Sequence, residues 1–378
     1  MVKRETVMEH DEPNADIFPA DDAYAMFLGV GTPVQIVFLM IDTGSPITWF
    51  QCGPCTHCYP MRRPLFNPPA STSFRQLGCY DDTCLIPMMR SIFGNCKGWN
   101  CRYNVEYDMK SQSRSFGVMV TDTLNFEHSN VEVKDFVMGC GNSYEGPFRT
   151  QFSGVLGLGR GPLSIQNQLH SKAFSFCIVS LGSEKPSSLV FYETLPKQRG
   201  NTNTSIMVPL RENSRYPFYY FVQFVGISIN GFMLDIPSSV WGYGLNYDGG
   251  VIIDAGKVLT YLPSEAYNIF RSEILRTDGN FTKKRYKELE FCYVESPTNV
   301  YPTVEFFFEN GNIAGENFVS FKLNNRQLLI TPHEGIVCLS FAEAKNSALT
   351  VIGTNHLQGT LLTYNLVDDI IIFTCNKC

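Results

Sequence analysis

The sequence is poor in charge and has no excess of positive charge. Asp, Glu, Lys and Arg make up 17% of the 378 residues, below the roughly 25% of an average globular domain. The 36 acidic residues outnumber the 30 Lys and Arg residues, which gives a formal net charge of −6. Without a basic face to attract phosphates, the chain is not expected to bind nucleic acid.

The sequence shows no signal-peptide pattern, and no stable membrane span is expected. Residues 1–19 carry many charges and have no apolar core of the kind that signal peptides contain. Residues 24–41 are uncharged over 18 positions, the lower limit for crossing a bilayer. Gly29, Gly31 and Pro33 interrupt this stretch, so we expect two strands joined by a turn rather than a transmembrane helix.

Apolar residues are abundant, and their pattern is mainly that of β-strands. Hydrophobic residues reach 44%, with 29 Phe and 18 Tyr, enough for a large core. A chain longer than ~250–300 residues is expected to split into two lobes. Residues 228–234 contain Asn-Gly between apolar residues, a strong hairpin signal. Helical periodicity is scarce and is clearest after Ser264, which we interpret as an N-cap.

One sequence pattern occurs twice. Residues 38–45 and 250–257 each carry three apolar residues into an Asp-x-Gly turn. Each is followed about a hundred residues later by two apolar residues and a glycine, at 155–157 and at 351–353. We therefore predict an internal duplication with its boundary in the polar stretch near residues 200–205. The predicted lobes are residues 21–200 and 201–378.

Each repeat supplies one carboxylate, Asp42 in the first and Asp254 in the second. An isolated Asp-x-Gly is usually only a turn, but two copies in the same context favour a shared site. Two like charges in a desolvated groove share one proton, which provides one general base and one general acid. Such a pair suits attack by water on a peptide carbonyl. Gly44 and Gly256 permit the tight turns.

These motifs together resemble a known protease family. Asp42, Thr43, Gly44 and Ser45, with Trp49, Tyr107, Gly157, Asp254 and Gly353, are similar to the motifs of pepsin-like aspartic proteases. The cysteine-rich segment 51–58, with segments 139–141, 154–162 and 376–378, resembles the plant nepenthesin-like and xylanase-inhibitor-like branch. The resemblance covers residues 24–378, almost the whole chain.

The resemblance implies an all-β, bilobal fold with two β-barrel-like lobes and a cleft between them. It assigns Asp42 and Asp254 as the catalytic dyad, with Thr43, Gly44, Ser45 and Gly256 supporting the dyad. Tyr107 is then the flap residue that closes over substrate. It further implies a polypeptide substrate, a monomer without cofactor or metal, and an extracellular or vacuolar location.

The resemblance also pairs twelve of the 13 cysteines. It implies the disulfides Cys52–Cys55, Cys58–Cys140, Cys79–Cys101, Cys84–Cys96, Cys177–Cys378 and Cys292–Cys338. Spacing alone cannot choose this connectivity. Cys375 is left over and is expected to stay a free thiol.

Other site classes fit the sequence less well. Cys52-Gly53-Pro54-Cys55 matches a thioredoxin-type redox motif, but no helix is predicted after Cys55. Cys52, Cys55 and Cys58 lack a fourth zinc ligand at a matching interval. Segment 157–161 is rich in glycine without the spacing of a dinucleotide loop, and a Gly-x-Ser-x-Gly nucleophile motif is absent.

Three departures from the family pattern bear on activity. Ala255 replaces the Ser or Thr that normally bonds across to the other aspartate loop. Lys257 replaces the Ser or Thr that normally donates a hydrogen bond to Asp254. Because a nearby cation lowers the pKa of a carboxylate, Lys257 is predicted to confine activity to strongly acidic conditions. The flap segment 107–111 has lost two glycines. These changes sustain an alternative function, a catalytically impaired protein that binds or inhibits other proteins. Asn203 and Asn280 head glycosylation sequons.

Overall fold

The computed structural model describes residues 12–20, 23–93, 99–107, 113–196, 205–244, 246–277, 283–296, 299–310, 317–375 and 378. Most of the regular structure in these residues is β-strand, which confirms the predicted all-β class. The predicted boundary between the lobes falls largely on residues 197–204, which lie outside the described residues, so the division there stays a prediction.

Strands follow one another along both halves of the chain. The first half contains β1 (Asn14–Ala20), β2 (Ala23–Val30), β3 (Gln35–Asp42), β4 (Trp49–Gln51), β5 (Arg75–Gln76), β6 (Arg102–Tyr107), β7 (Ser113–Asn125), β8 (Glu132–Glu145), β9 (Gly154–Gly157), β10 (Ala173–Ile178) and β11 (Ser187–Tyr192). The second half contains β12 (Ser205–Arg211), β13 (Phe221–Val222), β14 (Phe224–Ile229), β15 (Phe232–Met233), β16 (Gly250–Asp254), β17 (Thr260–Pro263), β18 (Lys283–Tyr286), β19 (Leu289–Val294), β20 (Val304–Glu309), β21 (Phe318–Lys322), β22 (Leu329–His333), β23 (Ile336–Leu339), β24 (Phe341–Ala344), β25 (Leu349–Gly353), β26 (Thr360–Asn365) and β27 (Ile370–Cys375).

Among the residues that the structure describes, helices are short apart from one. They are α1 (Ile165–Gln168), α2 (Ser264–Thr277) and α3 (Asn325–Leu328), with 3₁₀ turns at Pro68–Ala70, Asp82–Leu85, Pro87–Met89, Ser238–Val240 and Thr354–Leu357. In the described ranges, no helix is both long enough and apolar enough to cross a membrane.

The local turn signals fold as predicted. Residues 24–41 form most of β2 and β3, an antiparallel pair joined by a turn. Asn230 and Gly231 connect β14 and β15 with φ angles of 50° and 82°, the backbone of a tight two-residue hairpin loop. α2 buries one apolar face, because its apolar residues recur at helical spacing. Ser264 is its first helical residue and not the predicted N-cap, since the Ser264 hydroxyl donates to Glu343 Oε1 at 2.7 Å.

A continuous antiparallel sheet joins the two halves of the chain. Its strand order is β1–β11–β10–β26–β27–β12, with three strands from each half. The middle pair, β10 and β26, places Phe174 opposite Tyr364. The two halves therefore meet around an approximate two-fold axis. β1 lies ahead of residue 21, where the sequence places the start of the first lobe.

Each half contains one strand unit that ends at an aspartate. β3 lies parallel to β9 with Asp42 opposite Gly157, and β16 lies parallel to β25 with Asp254 opposite Gly353. A Cβ on Gly157 would lie 2.4 Å from a crossing backbone segment, and one on Gly353 would lie 2.3 Å from the equivalent segment. Only glycine fits such close approaches. The predicted duplication is therefore present in the fold.

Candidate active site

The two repeats bring Asp42 and Asp254 to one point between the halves of the chain. Each residue is 7% exposed. A Cβ on Gly256 would lie 2.8 Å from Asp42 Oδ1 and 3.2 Å from Asp254 Oδ1, so both carboxyls close around this glycine. A hydrogen bond between the two carboxyls contributes to the raised pKa of Asp254. The structure thus brings the two predicted site carboxylates together.

Two donors hold Asp42. The Gly44 N–H donates to Asp42 Oδ1 at 2.8 Å, and the Ser45 hydroxyl donates to Asp42 Oδ2 at 2.6 Å. Hydrogen bonds of this kind stabilise the charged form of a carboxylate. These contacts place both predicted supporting residues, Gly44 and Ser45, directly on Asp42.

Asp254 has a different set of neighbours. The Gly256 N–H donates to Asp254 Oδ1 at 2.8 Å, which matches the contact of Gly44. Lys257 stands where the first repeat has Ser45, is half-buried and lines the same cleft. The second carboxylate therefore has a cation beside it instead of a hydroxyl.

The pKa of Asp254 is raised above its usual value. Burial is the largest cause and the charge of Asp42 the next, while Lys257 and the Gly256 N–H act in the opposite direction. The net direction is upward although Lys257 opposes it, as the sequence predicts, and the confinement of activity to strongly acidic conditions stays a prediction. Desolvation of the carboxyl outweighs the attraction of the ammonium.

A single hydroxyl links the two aspartate loops. Thr43 Oγ1 donates to the Ile253 carbonyl at 3.2 Å and accepts from the Ala255 N–H at 2.9 Å. Ala255 occupies the equivalent place in the second loop and has no hydroxyl to offer in return. Only the first loop therefore contributes a side chain to the cross-link, because position 255 of the second loop is alanine.

The predicted flap residue lies over the dyad. Tyr107 ends β6, pairs with Ser113 of β7, and lines the cleft. The Ser45 hydroxyl lies 3.4 Å from the Tyr107 hydroxyl, and the Trp49 indole N–H donates to the same oxygen. Burial and then the charge of Asp42 raise the pKa of Tyr107 well above its usual value. The hairpin tip, residues 108–112, lies outside the described residues.

The dyad opens into a cleft of about 470 Å³, a size typical of ligand sites. Most of the wall is apolar or aromatic, and its charged side chains are Asp42, Glu106, Arg149, Arg215, Asp254 and Lys257. The aromatic part is formed by Trp49, Tyr59, Tyr107, Phe148, Phe152, Tyr216, Phe218 and Tyr219. Such a wall suits apolar side chains of an extended polypeptide.

Four of the six predicted disulfides are wrong. The predicted pairs Cys52–Cys55, Cys58–Cys140, Cys79–Cys101 and Cys84–Cys96 are replaced by Cys52–Cys140, Cys55–Cys58 and Cys84–Cys101. Cys79 is also disulfide-bonded, and Cys96 lies outside the described residues. Cys177–Cys378 and Cys292–Cys338 form as predicted, and Cys375 is a half-buried free cysteine.

Strand pairing explains the corrected connectivity. β4 lies parallel to β8 with Phe50 opposite Cys140, and the Cys52 N–H donates to the Gly141 carbonyl at 2.9 Å. This register sets the Cα atoms of Cys52 and Cys140 5.4 Å apart, within the range of a disulfide. Spacing along the sequence contains no information about that register.

Two structural threonines of the site were missed from sequence. Thr48 Oγ1 accepts from the Gly157 N–H, and Thr260 Oγ1 accepts from the Gly353 N–H, each at 3.1 Å. Both hydroxyls fix the close approach of the glycine-ended strand to the aspartate loop. The signal was available, because each threonine stands at the same distance after its aspartate in the duplicated pattern.

Two related β halves with paired aspartates at their junction define a pepsin-like protein. Family models for the xylanase inhibitor N-terminal and C-terminal domains match residues 24–191 and 219–375. Aspartic proteinase nepenthesin-2 of Nepenthes gracilis is 30% identical over 96% of this chain and 79% of its own length. Protein ASPARTIC PROTEASE IN GUARD CELL 2 of Arabidopsis thaliana is 31% identical over 94% of this chain and 72% of its own length. The chain belongs to the plant nepenthesin-like branch of the pepsin-like aspartic protease family.

Solved structures agree on the bilobal fold. The crystal structure titled edgp has a TM-score of 0.76 at 17% identity and covers 98% of this chain and 96% of its own. Basic 7S globulin from soybean has a TM-score of 0.75 at 17% identity, with 96% of both chains covered. At this identity the likeness concerns the fold alone.

Proposed function

We propose that the chain is an aspartic-type endopeptidase that hydrolyses peptide bonds at acidic pH through Asp42 and Asp254. The observation that supports this proposal most strongly is that two buried carboxyls lie together at the base of a cleft that can hold a polypeptide. The names of the curated relatives, which are aspartic proteinases, support the same reaction class. In this reaction the two carboxyls supply both the base that activates water and the acid that protonates the carbonyl oxygen.

The asymmetry of the dyad suggests separate roles for its members. Asp42, held by two donors, is the base that takes a proton from the attacking water. Asp254, whose pKa is raised, carries the shared proton and gives it to the oxygen of the scissile carbonyl. Water attack and proton transfer then produce a neutral tetrahedral intermediate. Its collapse returns a proton to the leaving amine.

The remaining residues position these groups. Gly44, Ser45 and Gly256 orient the carboxylates, and Thr43 links the loops on which they stand. Tyr107 covers the dyad and excludes water from one side of the cleft. We propose cleavage beside apolar side chains, because apolar and aromatic side chains form most of the cleft wall.

A second function is favoured by specific residues. Ala255 leaves the loop cross-link one-sided, and Lys257 puts a cation beside Asp254. The matching family models are also described as xylanase inhibitor domains. A catalytically impaired protein that binds or inhibits another protein through the same cleft is therefore the alternative.

Cleavage of a denatured protein at acidic pH separates the two functions. We expect hydrolysis at pH 3–5 that a transition-state-mimicking aspartic protease inhibitor blocks. The Asp42→Asn variant serves as the inactive control in the same preparation. A properly folded wild-type chain that cleaves nothing under these conditions would favour the binding function.

We also propose an extracellular or vacuolar location and a monomeric state. Disulfides occur in the described part of the chain, and such bonds persist in oxidising compartments. The two sequons, at Asn203 and Asn280, lie outside the described residues, so glycosylation stays a prediction.

A further inference from the structure

His356 is a fully buried histidine that takes no part in the proposed reaction. It lies in the 3₁₀ turn Thr354–Leu357, directly after β25. The last residue of β25, Gly353, is paired with Asp254 at the end of β16. The first N–H of the turn also donates at 2.8 Å to the carbonyl of Lys257, three residues after that aspartate. His356 therefore belongs to the segment that holds the second aspartate loop.

Both ring nitrogens of His356 are hydrogen-bonded to hydroxyl groups. Nδ1 lies 2.6 Å from Thr260 Oγ1, and Nε2 lies 2.9 Å from Ser340 Oγ. Thr260 Oγ1 also accepts from the Gly353 N–H at 3.1 Å. A chain of hydrogen bonds therefore runs from the backbone beside Asp254, through the Thr260 hydroxyl, to the imidazole.

The hydroxyl partners decide which ring nitrogen carries the proton. Ser340 Oγ lies 3.0 Å from the Leu328 carbonyl, which can only accept, and 2.9 Å from the Asn355 amide nitrogen, which can only donate. The Ser340 proton therefore points to the carbonyl, and its oxygen accepts from His356 Nε2–H. Nδ1 is then the acceptor for the Thr260 proton. The opposite tautomer would leave that proton without an acceptor among the described residues.

A charged imidazole does not suit this place. Protonation would put a second donor on Nδ1, where Thr260 already directs its own proton. The rings of Phe306 and Phe341 pack against the imidazole, with centroid distances of 5.4 and 4.4 Å. Burial in these surroundings lowers the pKa of His356 to about 3.

The titratable groups on the elements around the imidazole are engaged elsewhere. β20, for example, buries Phe306 while Glu305, the next residue along the strand, points to the other face. Among the described residues, Glu305 pairs with Lys322, Glu309 with Arg211, Glu343 with Ser264 and Tyr261 with Glu288, Arg326 is exposed, and Asp254 and Lys257 line the cleft.

The equivalent position in the first half of the chain is not a histidine. Thr48 accepts from the Gly157 N–H there. Three residues after Gly157, where the second half has His356, stands Arg160, which pairs with Asp369 at 2.9 Å. Anchoring by an imidazole is therefore specific to the second aspartate loop.

We propose that His356 is a positioning residue for Asp254: its neutral ring holds Thr260 in place to receive the Gly353 N–H, and protonation of the ring in strong acid releases this contact. The second aspartate loop then loses an anchor, so His356 sets the acid limit of hydrolysis. This inference rests on the proposed function for its effect on hydrolysis, whereas the chain of hydrogen bonds does not depend on that function.

Two substitutions separate the hydrogen bonds of the ring from its charge. His356→Gln supplies one acceptor and one donor in a side chain that does not become protonated, so it should keep the positioning and lose the sensitivity to acid. His356→Leu removes both hydrogen bonds. His333→Gln is the matched control, because His333 is exposed.

The first measurement is the hydrogen-exchange rate of the Gly353 amide by NMR, compared among the variants at equal pH. At pH 5 we expect wild type and His356→Gln to coincide and His356→Leu to exchange about fivefold faster, the effect of weakening one hydrogen bond. At pH 2 wild type should approach the His356→Leu rate, whereas His356→Gln should stay protected.

The second measurement is the pH profile of kcat on a peptide substrate. At pH 5, His356→Gln should match wild type, and kcat of His356→Leu should fall several-fold with KM unchanged. At pH 2, His356→Gln should be about tenfold more active than wild type, because a group is about nine-tenths protonated one pH unit below its pKa.

Three outcomes overturn the inference: a ¹⁵N-histidine spectrum in which His356 is charged or protonated at Nδ1 at pH 5, equal Gly353 exchange in wild type and His356→Gln at pH 2, or the same changes in His333→Gln. The first two comparisons remain decisive if His356→Leu does not fold. The expected exchange pattern in a protein that hydrolyses nothing supports the anchoring role and contradicts the proposed peptidase activity. An active protein whose acid limb is the same in wild type and His356→Gln contradicts the role of His356 in setting that limit.

Discussion

The ammonium of Lys257 acts on the carboxyl of Asp254 and lowers its pKa, against the larger effects of burial and of the Asp42 charge. Lys257 is half-buried and lines the cleft, so water screens this attraction only in part. The residue that departs most from the family pattern is therefore a charge neighbour of the proposed catalytic acid.

Lys257→Thr is expected to move the alkaline limb of the pH profile of kcat/KM upward. Removing the cation raises the pKa of Asp254 further, so the singly protonated pair persists to higher pH. A cation within ~4–6 Å lowers a carboxylate pKa by about 1–3 units, and partial screening suggests a shift of about 1 unit. Activity at the upper end of the acidic range should rise in parallel.

Lys345→Thr is the matched control for this charge change, because Lys345 is exposed and lies outside the cleft. Its pH profile should coincide with that of the wild type. A limb that stays in place in Lys257→Thr, or moves downward, would show that the ammonium does not influence the dyad.

Asp42→Asn is expected to abolish hydrolysis while the protein stays folded. The amide keeps the shape of the side chain and its contact with the Gly44 N–H, but it cannot accept a proton from water. Loss of an essential base lowers kcat by about 10⁴-fold or more. The measurement is the rate on a peptide substrate, with circular dichroism to verify folding.

Asp235→Asn controls for the general effect of this substitution, because Asp235 is exposed. It should retain the wild-type rate. Residual activity in Asp42→Asn that the transition-state-mimicking inhibitor still blocks would refute the role of Asp42.

Those parts of the candidate site could be predicted whose sequence signals are local and occur in both repeats. Asp42 and Asp254 each follow an apolar strand and stand two residues before a glycine. The signal that identifies each aspartate therefore lies within a few neighbouring residues of the sequence. The contacts at Gly44, Ser45 and Gly256 follow from the same turns. The dyad could therefore be inferred before any tertiary contact was known.

Features that depend on strand register could not be predicted. The partner of Cys52 is decided by the parallel pairing of β4 and β8, which places Cys140 beside it. The net direction of the Asp254 pKa depends on burial as well as on Lys257, and sequence gives only the presence of the lysine.

The corrected disulfides are open to direct mapping. Peptides from a non-reducing digest should contain Cys52 linked to Cys140, Cys55 to Cys58 and Cys84 to Cys101. The pairing of β4 with β8 brings Cys52 and Cys140 together, and a Cys52–Cys55 bond would break that Cys52–Cys140 bond. Tandem mass spectrometry that finds Cys52–Cys55 or Cys58–Cys140 would contradict the register described here.

The Cys177–Cys378 disulfide should contribute measurably to stability. It joins residues 201 positions apart and ties the C-terminal residue to β10 of the central sheet. Its loss frees a long loop in the unfolded chain, and we expect Cys177→Ser with Cys378→Ser to lower the free energy of unfolding by about 2–5 kcal/mol. Urea unfolding measures this, and a change within error would show that the bond is not formed in the folded protein.

The raised pKa of Asp254 predicts that this residue destabilises the folded protein at neutral pH. Folding favours the protonated carboxyl, so the contribution of Asp254 is most favourable below its usual pKa of 3.8 and is lost as pH rises toward the raised value. Asp254→Asn cannot ionise and escapes this loss. We therefore expect the variant to gain stability relative to wild type between pH 3 and pH 7.5, by about 1 kcal/mol or more, since one pKa unit equals about 1.4 kcal/mol. Urea unfolding at both pH values gives the difference, and Asp235→Asn should show no such gain. A stability difference between Asp254→Asn and wild type that is the same at pH 3 and pH 7.5 would mean that folding does not raise the pKa of this carboxyl.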